Sequence, residues 1–183
     1  MPSYIRIIGG QWKRQRLPVI DAPGLRPTTD RIRETLFNWL GQELDGLRCL
    51  DMFAGAGALG FEAASRGAAY VLALEKNPKV AQQLRSNRER LAATQIEIIA
   101  TDAIKYADHL PDHSFDVIFL DPPFADNLLL PALQAASRLL STNGFIYVES
   151  ATLFTSYPDL VVARQDRAGK AYYCLLRKVL SIT

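Results

Sequence analysis

Four consecutive residues, Asp121-Pro122-Pro123-Phe124, follow the apolar run FDVIFL and are the most chemically pointed part of the chain. An acid at the end of a strand, two prolines and an aromatic ring suit a planar amine. Proline fixes φ, offers no N–H and holds the residue before it extended. The Asp121 carboxylate and the Pro122 carbonyl can therefore each accept from one hydrogen of an NH2 group. Accepting both hydrogens frees the nitrogen lone pair from the ring that delocalises it. Phe124 can stack on a base turned out of its helix. This set would be odd for hydride transfer and natural for transfer of a small group to an exocyclic amino nitrogen.

A second constellation lies upstream. Gly55, Gly57 and Gly60 spell GxGxxG between an apolar run and a helical stretch, a loop that allows close backbone approach to a ligand. Taken alone it fits NAD as well as S-adenosylmethionine. Asp51 precedes the glycines, where a carboxylate repels a pyrophosphate and attracts an ammonium. Glu75 ends the next strand and can accept from ribose hydroxyls. Asp102 closes the strand after that; it either accepts from an adenine amino group or caps a short helix over 103–109.

These groups need a scaffold that gathers strand ends. The strand-like runs 48–53, 70–75, 96–100, 115–120 and 144–149 alternate with helical stretches near 58–66, 78–92 and 127–140. That alternation predicts a mostly parallel α/β sheet covered on both faces. Ligands of such sheets sit beyond the carboxyl ends of the strands, where Asp51, Glu75, Asp102 and Asp121 fall. The chain closes differently, with 160–165 and 171–179 predicted as an antiparallel hairpin turning at Asp166–Gly169. Before the sheet, 4–8 and 16–20 form a smaller hairpin, and Thr28 or Thr29 caps a helix running to about Leu40.

Charge is distributed unevenly. The net charge is only +2, but residues 1–33 carry seven basic and two acidic side chains, a net of +5 that leaves about −3 elsewhere. Arg6, Lys13, Arg14, Arg16, Arg26 and Arg31 are therefore candidate contacts to RNA phosphates. The 183 residues make one domain, read as a basic hairpin extension over 1–25 and a main domain over 26–183. Cys49 and Cys174 lie in apolar runs and read as buried thiols of a reducing compartment. The two histidines form no metal site, and no metal is expected. No stretch is long and apolar enough for a membrane span, so the expectation is a cytoplasmic protein, with monomer as the default state.

In order, DMFAGAGALGFEA, LEKN, the Asp102 segment and DPPF resemble class I methyltransferases that modify amino groups. RIIGGQWKRQRL and RPTTDRIRETLFNWL before them, and GKAYYCLLRK after, are similar to the bacterial 16S ribosomal RNA guanine(966)-N2-methyltransferase family. The resemblance spans nearly the whole chain. It implies S-adenosylmethionine as cofactor, a seven-stranded Rossmann-like sheet with an antiparallel last strand, and 16S ribosomal RNA as substrate, within a 30S particle or an assembly intermediate. It further implies that Asp51, Gly55 and Gly57 hold the methionine part, Glu75 the ribose, and Asp102 with Ala103 the adenine, with Phe53 and Lys76 also among the cofactor-binding residues. Asp121 then lies between cofactor and target, with Pro122, Pro123 and Phe124 at the target. Arg26, Thr28 and Arg31 would lie beside the cofactor or the RNA. The family's loop often reads Gly-Ser-Gly; here it is Gly-Ala-Gly. Two other activities remain open from the residues alone, methylation of adenine N6 in DNA and an NAD-dependent oxidoreduction.

Overall fold

A computed structural model describes residues 3–22, 28–123, 127–155 and 157–179. Fourteen elements are named among them. The first hairpin pairs β1 (Ser3–Arg6) with β2 (Arg16–Val19) as a sheet of its own. Helix α1 (Asp30–Leu40) follows, then β3 (Arg48–Asp51), α2 (Ala58–Ser65), β4 (Tyr70–Glu75), α3 (Pro78–Arg90), β5 (Ile96–Ala100), α4 (Ala103–Ala107) and β6 (Phe115–Leu120). Helix α5 (Leu129–Leu139) leads into β7 (Leu140–Ser150), and β8 (Leu160–Ala168) and β9 (Ala171–Lys178) end the described chain.

Seven strands form one sheet in the order β5-β4-β3-β6-β7-β9-β8. The pairs among β3 to β7 are parallel, and β9 lies antiparallel to both β7 and β8. Successive strand residues point to opposite faces, and both faces are buried. Cys49, Val71, Ala73, Val117, Phe119 and Tyr147 pack toward α1, α2 and α3. Leu50, Leu72, Leu74, Ile118, Leu120 and Ile146 pack toward α4 and α5. The chain adds strands outward in one direction from β3 to β5 and in the other from β6. The reversal falls between β3 and β6, where a doubly wound sheet opens a crevice at its carboxyl edge.

Helix α1 begins where its threonines predict. Thr29 is the N-cap, its hydroxyl accepting from the Ile32 N–H, and Ile32, Leu36 and Phe37 form the buried stripe. Several boundaries differ from the sequence reading. β3 ends at Asp51, although the Met52 N–H still donates to the Phe119 carbonyl of β6 and the Ala54 N–H to the Leu74 carbonyl of β4 as the chain turns into the glycine loop. β7 starts at Leu140 rather than 144, with Leu140 paired to Phe115 before a bulge. The last hairpin turns at Gly169-Lys170 rather than over 166–169. There Asp166 and Arg167 stay in the ladder, opposite Tyr173 and Tyr172.

The first hairpin is fastened to α2 by one buried acid. Glu62 is fully buried and accepts from the backbone N–H groups of Ile8 (2.9 Å) and Gly9 (2.8 Å). It also receives Arg33 of α1 (3.2 Å) and Arg66 (2.8 Å). Arg33, itself buried, continues to Asp30, which Arg6 of β1 engages at 2.6 Å. Burial opposes ionisation of Asp30, yet Arg6 and Arg33 together hold its carboxyl below the usual range. Gly10 closes the contact: at φ +71° a Cβ would sit 1.8 Å from the Ser65 carbonyl oxygen, so no larger residue fits. Replacing Glu62 with Ala leaves Arg33 with Asp30 as its remaining acid and strips the Ile8 and Gly9 amides of their acceptor. We expect Glu62→Ala to lose roughly 3–5 kcal/mol in chemical denaturation, with Glu62→Gln losing less because it keeps an acceptor for the hairpin amides.

Candidate functional site

The sheet's carboxyl edge gathers a row of acids on the face that carries α1 and α2. Asp51 lies next along its strand's face after Cys49, Glu75 after Val71 and Ala73, and Asp121 after Val117 and Phe119. Their strands are neighbours in the order β4-β3-β6, so Asp51 and Asp121 flank the reversal point. β7 adds Glu149 beyond Phe145 and Tyr147. Parallel register sets Leu120 against Val148, which puts Asp121 and Glu149 side by side.

Asp51 is 2 % exposed, and one of its oxygens accepts from the Gly60 N–H at 3.1 Å, inside the first turn of α2. Burial pushes its carboxyl up to about 7, and the Glu75 charge adds to this, while N–H groups of Gly60 and Phe53 pull the other way. Glu75 braces the glycine loop: it accepts from the Gly55 N–H at 2.9 Å and from the Asn77 N–H at 2.7 Å. The loop itself is drawn tight, with the Gly57 N–H donating to the Ala54 carbonyl at 2.7 Å. Gly57 is at φ +81°, and a Cβ there would lie 2.7 Å from Leu84 and Phe61 side-chain atoms. Phe53 is half-buried against the opposite core.

Of the two readings of Asp102, the structure shows the cap. One oxygen accepts from the N–H groups of Ile104 and Lys105 at 3.1 and 3.2 Å. The other faces the Lys76 ammonium at 3.9 Å, so these two residues meet at the rim beyond β4 and β5. Ala103 is buried beneath them.

Asp121 is half-buried, and Thr28 donates its hydroxyl to it at 3.2 Å. Thr28 sits two residues before α1, so the first turn of that helix closes over the end of β6. Pro122 is buried and Pro123 exposed. Phe124 and Arg26 lie outside the described residues. Behind Asp121, Tyr147 donates to Glu149 at 3.2 Å. Burial first, and then the charges of Glu149 and Asp121, raise that phenol well above its ordinary value. The sequence reading passes over Glu149; its signal was available, since it ends an apolar strand just as Glu75 does.

The basic residues of the first segment divide. Arg31 is exposed on the first turn of α1, near the crevice. Arg6 is tied to Asp30 and pairs across the small sheet with Arg16. Lys13 and Arg14 occupy a turn held at the far end of α2, where Gln11 and Trp12 N–H groups reach Ser65. That end is opposite to the glycine loop. Cys49 and Cys174 are buried, their thiols raised by burial to about 12, which leaves them unreactive. No group of three or more His, Cys, Asp or Glu that could hold a metal occurs among the described residues. None of the described helices is long and apolar enough to cross a membrane.

Residues 5–177 match the family model described as Conserved hypothetical protein 95. The chain belongs to this family. It is 43 % identical over 186 residues to Ribosomal RNA small subunit methyltransferase D of Escherichia coli K12, covering 96 % of this chain and 91 % of that protein. It is 46 % identical over 153 residues to the Haemophilus influenzae protein of the same name, covering 80 % and 78 %. The solved structure of Escherichia coli yhhF superposes with a TM-score of 0.86 at 40 % identity, covering 96 % of this chain and 98 % of that one. The family's fold is the class I methyltransferase fold that the resemblance implied, with the antiparallel terminal hairpin expected from the strand pattern.

The Asp51 carboxyl links stability to pH with a definite sign. Its native pKa of about 7 lies above the unfolded value, near 3.8. Below pH 4 both states hold the proton. Between pH 4 and 7 the unfolded chain releases it and the native chain does not, so stability falls. Above pH 7 the ligand-free protein bears the whole burial cost, on the order of 4 kcal/mol. Melting curves should therefore show Asp51→Asn gaining on the parent chain as pH rises from 5 to 8. A constant difference across that range would contradict the shift.

Proposed function

We propose that this chain transfers the methyl group of S-adenosylmethionine to the exocyclic N2 of a guanine in small-subunit ribosomal RNA, guanine 966 by family resemblance. In this reading the hairpin of residues 1–25 is an extension of a methyltransferase domain over 26–183. The observation that carries it is the Asp121-Pro122-Pro123 corner beside Asp51 and Glu75, on adjacent strands at the sheet's reversal point. The name borne by the Escherichia coli and Haemophilus relatives supports ribosomal RNA as the substrate class.

The donor set fits the cofactor. A buried acid at the end of β3, next to a glycine loop with no room for a Cβ at Gly57, favours a cation over a pyrophosphate. This disfavours the NAD reading. Asp51 would draw the methionine ammonium, the loop amides after Gly55 its carboxylate, and Glu75 the ribose hydroxyls. Asp102, its cap already made, would meet the adenine with Ala103 and Lys76 at the rim. When bound, the cofactor supplies an electrophilic methyl group on sulfur.

The chain's own part is positioning. Asp121 and the Pro122 carbonyl accept from the two amino hydrogens and hold the nitrogen lone pair toward the methyl donor. Thr28, by donating to Asp121, fixes which way its oxygens face. Phe124 would stack on the extruded base. The methylated nitrogen sheds its extra proton after transfer, so Asp121 need not act as a base.

Tritiated methyl transfer to 30S particles, naked rRNA and DNA tests the assignment. Label should appear in rRNA guanine and be absent from DNA. Asp121→Ala should lower turnover by roughly 10²–10³-fold or more, while S-adenosylhomocysteine still raises its melting temperature. Label confined to DNA adenine would overturn the substrate, and full turnover in the variant would remove Asp121 from the mechanism.

A further inference from the structure

The RNA-facing surface must border Asp121, yet the basic turn at Lys13 and Arg14 lies at the far end of α2, and Arg6 is engaged by Asp30. The topology puts another basic element beside the slot. β9 runs antiparallel to β7 with Glu149 opposite Tyr173 and Ser150 opposite Tyr172, so the β8–β9 turn emerges at the carboxyl edge of the sheet. It lies on the side of β7 away from β6, one strand beyond Asp121's own neighbour. Residues 160–178 contain five basic side chains and one acid, Asp166. Arg164, Arg167 and Lys170 are exposed near the turn, and Arg31 of α1 lies toward Asp166 and Tyr173, on the face of the hairpin opposite to Arg167 and Tyr172. Asp166 is already engaged, accepting from the Arg167 N–H at 2.7 Å and the Tyr173 hydroxyl at 3.0 Å. Its carboxyl is held below the usual range by these two bonds first and by the Arg31 charge with them.

The turn is also shaped for a flat ligand. The Arg167 guanidinium lies 5.1 Å over the Tyr172 ring, and its Nε donates to the Gly169 carbonyl at 2.9 Å. A guanidinium held between a ring and its own turn presents one exposed planar face. A nucleobase can stack there, while the adjacent ammonium and guanidinium groups meet phosphates.

We propose that the β8–β9 tip, through Arg167 over Tyr172 together with Lys170, binds the single-stranded RNA that flanks the target guanine. This rests on the reading of the chain as an RNA methyltransferase. The tip supplies substrate affinity and orientation; it touches neither the cofactor nor the reacting nitrogen.

The test compares the parent chain with Arg167→Glu/Lys170→Glu and with Arg167→Lys. Two readouts serve: methyl transfer to 30S particles, resolved into KM and kcat, and binding of a short fluorescein-labelled single-stranded RNA at several salt concentrations. The double variant changes only exposed residues, and an unchanged melting temperature and S-adenosylhomocysteine shift would show it intact. Its KM and its RNA Kd should rise about tenfold or more with kcat nearly unchanged. The slope of log Kd against log salt should fall by about 1.4, two phosphate contacts on a single strand. Arg167→Lys should keep the slope and lose several-fold in affinity, because a compact ammonium cannot stack as a plane. Parent-like KM, Kd and slope in the double variant would overturn the proposal while leaving the activity assignment standing. Loss of RNA affinity in the variant, together with no methylation of any rRNA by the parent chain, would uphold the tip and overturn the assignment.

Discussion

One fully buried carboxylate governs how the parts of this molecule meet. Glu62 sits in α2, the helix that the glycine loop opens, and gathers two arginines and two backbone amides from elsewhere. A buried acid without such partners would cost far more than it returns. With them, it fixes the entry of the first hairpin, the roll of α1 and the seat of α2 at once. Because α1 is held there through Arg33, its first turn is delivered to the end of β6, where Thr28 meets Asp121. Asp121 is thus oriented from a point on the other side of the glycine loop.

The second governing feature is electrostatic. Asp51, Glu75, Asp121 and Glu149 lie at the ends of four neighbouring strands on one face, and Lys76 meets Asp102 at the rim. Burial, with the Glu75 charge beside it, raises the Asp51 carboxyl to about 7 in the ligand-free protein. The acids are not idle meanwhile. Glu75 holds Gly55 and Asn77, and Asp51 holds Gly60, so the crevice is braced by its own acids.

Much of this was legible in the residues. Alternating short apolar strands and helices leave only a two-face-covered parallel sheet, because each element shows the period of its burial. Acids at strand ends then fall at the carboxyl edge by topology alone, and Thr29 before an apolar helical stripe marks the start of α1. Asp121-Pro122-Pro123-Phe124 read as a slot for a planar amine from residue type alone. Asp102 stayed open between cap and ligand because an Asp before a helix serves both roles, and only coordinates show which N–H groups it accepts from.

What the chain could not reveal alone is long-range. Nothing local says that Glu62 is buried, that Arg6 is already engaged by Asp30, or that Lys13 and Arg14 lie at the end of α2 away from the glycine loop. Charge counts place basic residues along the sequence but not around a crevice. Likewise Arg167 and Tyr172 look like two residues near a turn until antiparallel pairing sets one against the other and β7 carries them to the working edge. Local period and residue type determine the elements and the chemistry they could support. Which side chains share a surface depends on strand order and register, which are settled by burial and pairing across the whole sheet.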